Sequence, residues 1–312
     1  MEDNRPVMVT IRCAVYNHES FIRQCLDGFI MQQTNFRFEA IVHDDASTDG
    51  SADIIREYAA KYPEIIKPIY EIENQYSKKD GSISRIFEKN TNGKYIAICE
   101  GDDYWTDSLK LQKQVDFLES HPDYVMCSHR YDSYYQKEKY LEKNTLSDSI
   151  EYDIYTLVSG GWFFHPLTVM YRNDYFNFSH YQRYRVKMDA VLFYELLKSG
   201  RKGYCLGDTM AVYRIHSKGV WSGISAYDKL DWETDARFAI YEVDQSGTAA
   251  LFLLNQLSKQ SFRKWVLKRL KLFSKMTMVL IHHLGFITVF RLYIIRFLFG
   301  RPIAIKKEYI KR

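Results

Sequence analysis

Over its first 105 residues the chain alternates short apolar, β-branched runs with amphipathic helical segments, and few folds accept that alternation. Residues 7–16 (VMVTIRCAVY) read as a strand, and residues 21–31 carry Phe21, Ile22, Cys25, Leu26, Phe29 and Ile30 at helical spacing. A second strand is expected at 38–43, a helix at 52–61, a third strand at 65–70 and a helix at 82–90. The apolar run opening at Lys94 makes a further strand. A βαβαβ order followed by αβ implies a largely parallel sheet with helices on both faces. Ligands of such sheets bind where the strands end. The ends of the first, second and fourth strands carry Tyr16 and Asn17, Asp44 and Asp45, and Asp102 and Asp103, so three polar clusters are expected on one edge.

The run from Lys94 breaks at Gly101 into the adjacent carboxylates of Asp102 and Asp103. Two fixed oxygen donors suit a hard divalent ion that keeps positions open for phosphates. A solvated strand-end turn would also account for one acidic pair.

Beyond residue 105 the pattern is mixed. A helix is expected at 109–119, strands at 125–135 and 167–172, and a helix at 186–199 with Gly200 closing it. Strand-like runs follow at 203–206 and 210–216, and residues 225–257 are mostly helical by pattern. The aromatic, glycine-rich segment GGWFFH (160–165) lies between two of the strands. Aromatics make up 16% of the chain, enough to present stacking surfaces for sugars as well as fill a core.

The net charge of +4 conceals an asymmetry. Residues 259–312 hold 14 Lys and Arg against one acid, a net of +13, which leaves −9 on the rest. Lys264, Lys268, Lys271 and Lys275 share one helical face, with Phe262, Val266, Leu270 and Phe273 on the other. Such a basic amphipathic helix suits a membrane interface. Residues 276–299 are more apolar, but Arg291 and Arg296 interrupt them, so an in-plane or re-entrant segment is expected before a spanning one. Packing on the body or on a second subunit, as a homodimer, is the alternative. Nucleic acid is not expected as a partner, because apolar rather than stacking residues dominate this stretch.

Five separated cysteines form no C-x-x-C pair and point to a reducing compartment. The first residues lack a basic segment followed by an apolar one, so no secretory signal is expected. From these and the basic end, a cytoplasmic protein peripheral on the inner face of the plasma membrane is expected.

Seven segments resemble one family in order and spacing: AVYN (14–17), DDASTDGS (44–51), GKYIA (93–97), EGDDYW (100–105), KLQKQ (110–114), YRIH (213–216) and VWS (220–222). The chain is similar to inverting family-2 glycosyltransferases of the A-type fold, of the bacterial surface-polysaccharide kind. The resemblance covers residues 7 to about 222. It implies an α/β, Rossmann-like, mostly parallel sheet as a catalytic domain over 1–224, its nucleotide-sugar half about 1–105 and acceptor half about 106–224. A helical, basic extension over 225–312 completes the chain.

The resemblance also implies Mn²⁺ or Mg²⁺ held by Asp103 and His216, with Asp102 on the ribose or reaching the metal through water. The donor is expected to be a UDP-sugar, the acceptor a saccharide or a polyprenyl-linked one. Asp45 would accept from the nucleobase imide, Asp44 would support it, and Ala14, Tyr16, Asn17 and Glu19 would surround the nucleotide. Lys78, Lys79 and Arg85 are candidates for the diphosphate, and Trp221 for a loop closing over the donor. Asp49 reads as a turn and cap residue. Asp189, early in its helix, is the expected general base, although Met188-Asp189 departs from the family's usual pair there. The rival readings are a sugar-nucleotide nucleotidyltransferase, which would need a Gly- and Lys-bearing loop where residues 17–20 have NHES, and a non-catalytic scaffold.

Overall fold

The structure is a computed structural model describing residues 5–160, 164–256, 277–278, 281–282 and 289–290. It divides into two compact units. The first comprises residues 1–151, 164–178 and 201–223; the second comprises 152–163, 179–200 and 224–312.

The first unit is built on one sheet. β1 (Val7–Val15), β2 (Arg37–Asp44), β3 (Ile66–Tyr70) and β4 (Tyr95–Ile98) are all parallel, with β1 between β2 and β4. The intervening helices are α1 (Ile22–Ile30), α2 (Ser51–Lys61) and α3 (Ser82–Asn90). The chain steps outward from β1 to β3, and α3 then returns it to the opposite side of β1. The winding therefore reverses between β1 and β4, the position beyond whose strand ends open α/β sheets bind their ligands.

The remaining strands are β5 (Tyr104–Trp105), β6 (Tyr124–Tyr135), β7 (Tyr140–Glu142), β8 (Ile150–Tyr152), β9 (Met170–Arg172) and β10 (Lys202–Ile215). They extend the path as β3-β2-β1-β4-β9-β6-β10-β5. β9 is antiparallel to both neighbours and β5 is antiparallel to β10, so the far half of the sheet is mixed.

Burial explains the composition. Val9, Ile11, Cys13 and Val15 of β1, and Tyr95, Ile96 and Ala97 of β4, are all buried, which needs near-continuous apolar strands. On α1, Ile22, Cys25, Leu26 and Phe29 form the buried stripe. Gly28 on that stripe is a close approach: a Cβ there would lie 3.1 Å from the Trp105 nitrogen. α4 (Lys110–Ser120) covers the sheet through Leu111, Val115 and Leu118.

Three expected strands differ in extent. Residues 203–206 and 210–216 belong to one strand, β10, whose register against β6 shifts between Leu206, Thr209 and Ala211. A bulge absorbs Gly207 and Asp208, where an end was expected. Residues 167–172 instead split into a 3-10 turn, Pro166–Thr168, and the short β9. Pro166 has no N–H to give a ladder and its fixed φ suits the first helical position.

The second unit contains α5 (Ile154–Val158), most of α6 (Phe178–Tyr181), α7 (Asp189–Leu197), α8 (Ala226–Val243) and α9 (Gly247–Gln256). Asp153 and Thr156 form a reciprocal capping box on α5, and the Ser225 side chain caps α8. α7 is buried almost all round: Ala190, Val191, Phe193, Tyr194, Glu195, Leu196 and Leu197 are inside. Its Tyr194 hydroxyl donates to Asp244 at 2.5 Å, and Asn255 of α9 donates to the Val158 carbonyl at 2.7 Å. Helix was expected from residue 186, but Met188 is extended and the helix opens at Asp189. Arg185 meanwhile reaches Asp235 and Glu242 on α8. The basic segment at 262–275 lies outside the described residues, as does most of 276–299.

Candidate active site

Backbone hydrogen bonds carry the sheet past the formal end of β4. Cys99 N donates to the Arg12 carbonyl at 3.2 Å and Gly101 N to that of Ala14 at 3.0 Å. Residues 100–103 are thereby held beside the end of β1. Gly101 has no room for a side chain: a Cβ would lie 2.9 Å from both His18 Nδ1 and Val15 Cγ2.

The carboxylates of Glu100, Asp102 and Asp103 converge there, each offering an oxygen within 4.8 Å of the others. Glu100 is exposed, Asp102 half-buried and Asp103 buried. Asp103 Oδ1 accepts from the Arg214 backbone N–H at 2.7 Å, while Asp102 Oδ2 lies 3.0 Å from His216 Nε2 and 3.8 Å from His18 Nε2. The two neighbours consequently differ in proton affinity. Burial and then the charge of Asp102 push the Asp103 pKa well up. Burial acts the same way on Asp102, but the hydrogen bond from His216 and the charge of His18 outweigh it and lower its pKa. Burial also lowers the pKa of His18, against the pull of Asp102. Three converging carboxylates, one of them buried and raised first by burial and then by its neighbour's charge, fit a divalent cation, whose charge would offset both effects.

Arg214, which sequence reasoning did not single out, organises this corner. Its Nε donates to the Asp102 carbonyl at 2.8 Å, Nη2 to Gln24 at 2.7 Å and Nη1 to Gln136 at 3.2 Å. The guanidinium lies over Phe21, 4.8 Å from its centroid, and Tyr104, 5.1 Å away. Glu100 and His18 were also passed over. Glu100 stood within the acidic stretch and was legible there, whereas His18 and Arg214 gain their roles only from contacts distant in sequence.

The loops after β1 and β2 are laced together. Asn17 is in the left-handed region (φ 56°), and its Oδ1 accepts from Thr48 N at 2.8 Å. Its own N–H donates to Ser47 Oγ at 2.9 Å, and Glu19 N donates to Asp49 at 3.1 Å. Asp49 also accepts from Ser51 N at 3.0 Å, the turn role expected of it, while the N-cap position of α2 is Gly50 and carries no side-chain cap. Tyr16 is exposed on this rim.

Both oxygens of the buried Asp45 accept backbone N–H groups, from Gln75 at 2.6 Å and Tyr76 at 3.0 Å. Asp45 thus holds the 74–76 loop. Asp44 takes Ser47 N at 3.3 Å on Oδ2, and its buried Oδ1 has no partner. Arg85 is exposed and pairs with Asp80 at 3.0 Å, at the start of its own helix, and Lys78 pairs with Glu73 at 3.3 Å. Trp221 sits in a turn that folds back on the histidine: Ser222 Oγ donates to the His216 carbonyl, and Gly223 N to that of Gly219 at 2.8 Å.

Asp189 opens α7 in the second unit. It is accessible to solvent, yet enough protein surrounds it that desolvation raises its pKa to about 6. A carboxylate so tuned is ionised, and still basic, near neutral pH.

Fold and site together define an α/β protein whose carboxylates gather at the topological switch point of its sheet. The chain belongs to glycosyl transferase family 2, whose model matches residues 11–193. Among its relatives is an uncharacterized protein of Mycobacterium tuberculosis, 36% identical over 224 residues, 70% of this chain. The match spans 62% of that relative's length. WfaP of Escherichia coli, named as a UDP-Glc:alpha-D-GlcNAc-diphosphoundecaprenol beta-1,3-glucosyltransferase, is 28% identical over 68% of this chain and 79% of its own. Among solved structures, S. aureus TarS 1-349 in complex with UDP-GlcNAc superposes with a TM-score of 0.58 at 17% identity. That match covers 80% of this chain and 72% of that one, and shows the A-type fold.

Proposed function

We propose that this family-2 protein transfers a sugar, with inversion, from a UDP-linked donor to a saccharide or polyprenyl-linked acceptor in cell-surface polysaccharide synthesis. The observation that carries the reading is the convergence of Glu100, Asp102 and Asp103 within 4.8 Å at the β1/β4 switch point. The donor and acceptor printed in the WfaP name, and the UDP-GlcNAc bound by TarS, support the substrate classes.

Asp103, with Glu100 or Asp102, would hold Mn²⁺ or Mg²⁺, and His216 would contribute a nitrogen donor or keep Asp102 ionised. When bound, a divalent ion neutralises the diphosphate and so makes the nucleoside diphosphate a better leaving group. Asp45 orders the 74–76 loop and offers its remaining lone pairs to the imide of the base, with Asp44 behind it. Ala14, Tyr16, Asn17 and Glu19 flank the nucleotide. Arg85 would serve the diphosphate only after leaving Asp80. Trp221 and its turn would exclude water once donor is bound.

Asp189 takes the proton of the acceptor hydroxyl as that oxygen bonds to the anomeric carbon. The bond from that carbon to the phosphate oxygen breaks on the opposite side, and the nucleoside diphosphate departs with the electron pair. Direct hydrolysis is the same displacement with water as acceptor.

A panel of UDP-sugars, assayed for UDP release with Mn²⁺ present, tests the proposal. Turnover of at least one donor, stimulated by an acceptor, is expected. A protein that binds UDP neither with nor without metal, and turns over no member of the panel, would overturn it.

A further inference from the structure

Three rings adjoin the acidic cluster without serving it. Tyr131 lies on β6, Tyr213 on β10, and His165 precedes the 3-10 turn at Pro166–Thr168. The His165 and Tyr213 rings are 4.2 Å apart between centroids and inclined at 35°. Tyr131 lies 5.7 Å from His165 and stands edge-on to Tyr213 at 6.4 Å. Tyr213 directly precedes Arg214, whose N–H donates to Asp103 at 2.7 Å, and Tyr131 pairs in register with Ala211 on the same strand; burial, followed by the charges of Asp103, Asp102 and Glu100, raises the Tyr213 pKa. Burial and Asp103 likewise raise that of Tyr131.

His165 is fixed from behind, since its carbonyl accepts from Thr168 N at 2.9 Å and Thr168 Oγ1 at 2.7 Å. Its Nδ1 is nevertheless buried with no hydrogen-bond partner. A buried ring nitrogen left unpaired forfeits about 1–3 kcal/mol, which a hydroxyl bonded to it would recover. Desolvation lowers the His165 pKa to about 4, which keeps the imidazole neutral. A neutral ring nitrogen can donate or accept, and a sugar hydroxyl can do either in return.

We infer that Tyr131, His165 and Tyr213 form the subsite for the donor's sugar ring, with His165 Nδ1 as its hydroxyl-recognising, specificity-determining atom. The inference rests on the nucleotide-sugar reading. The choice of donor over acceptor follows from bonding: the transferred sugar hangs one oxygen from the phosphate that the carboxylates would hold. Aromatic faces with a few placed polar atoms are the usual lining of a site that must both bury and orient a ligand.

The test is calorimetric binding of UDP, UDP-glucose, UDP-galactose and UDP-N-acetylglucosamine to the full chain with Mn²⁺, for wild type, His165→Phe and His165→Asn. Phe keeps a ring against Tyr213 and removes the nitrogens; Asn keeps a polar donor and acceptor in a smaller volume. In His165→Phe, UDP affinity is expected to stay within about twofold, while the advantage of the preferred UDP-sugar over UDP falls about tenfold or more. His165→Asn is expected to recover part of that advantage. An unchanged sugar preference in His165→Phe would overturn the assignment. So would an equal loss of UDP and UDP-sugar affinity, which marks a structural role. Failure of wild type to bind UDP at all would instead remove the underlying transferase reading, and this inference with it.

Discussion

Asp102 and Asp103 are adjacent in the chain and opposite in proton affinity: burial and the charge of its neighbour raise the pKa of Asp103, whereas His216 and His18 outweigh burial at Asp102 and lower its pKa. A sequence displays the pair but not this division. Residues 18, 102, 214 and 216 meet only because β1, β4 and β10 share a sheet. Asp189 is the base that the family pattern leads one to expect, and its environment supplies a signature by which that expectation can be tested. Because its pKa is raised to about 6, activity is expected to climb with pH through about 6 as the base ionises. Asp189→Asn is expected to reduce transfer by about 10²–10⁴-fold without altering UDP affinity. Near wild-type turnover in that variant would remove Asp189 from the mechanism. A lysine opening a helix is ordinarily a surface residue. Lys110 is instead fully buried, with its ammonium 3.6 Å from the Trp105 ring centroid and no hydrogen-bond partner. Burial lowers its pKa from 10.5 to about 7. The unfolded chain therefore binds more protons between those values, and the lysine makes stability rise with pH across that window. Lys110→Met is expected to abolish this slope and to raise stability near pH 7 by ~1–4 kcal/mol. Urea titrations of both proteins at pH 7 and pH 9 measure the difference; a less stable variant would show that the cation–π contact outweighs desolvation.

At the scale of elements, the parallel half of the sheet was legible because β1 to β4 are short, apolar and separated by helices with clear stripes. The expected α3, at 82–90, has the observed bounds. The mixed half was harder. β5 and β7 are two and three residues long and carry no periodicity to read, and the bulge in β10 mimics a turn. The β1–α1 junction shows what local chemistry can still reveal. Asn17 occupies the left-handed region, where a Cβ-bearing residue other than Asn or Asp is disfavoured, and its amide also holds Thr48. Asn17→Ala is expected to lower stability by ~1–2 kcal/mol, and Asn17→Gly by less, because glycine keeps the backbone conformation. Equal losses in denaturant titrations would place the whole effect in the side-chain hydrogen bond instead.

At the scale of the whole molecule, charge divides the sequence into an acidic body and a basic end, with +13 over residues 259–312. Among the described residues no helix is long and apolar enough to cross a membrane. From the charge, the full chain is expected to sediment with vesicles rich in anionic lipid at low salt, and to be released near 0.5 M salt, where screening shortens to a few ångströms. Equal binding to neutral vesicles would argue against the electrostatic part of that expectation. The catalytic proposal depends on something more local, a cation held by carboxylates at the switch point and gripping a pyrophosphate. UDP titrated calorimetrically into wild type and Asp103→Asn, each with and without Mn²⁺, measures it directly. Wild type is expected to bind UDP at least about tenfold more tightly with metal, and Asp103→Asn to lose that gain while remaining folded. UDP affinity that ignores both the metal and the substitution would contradict the account.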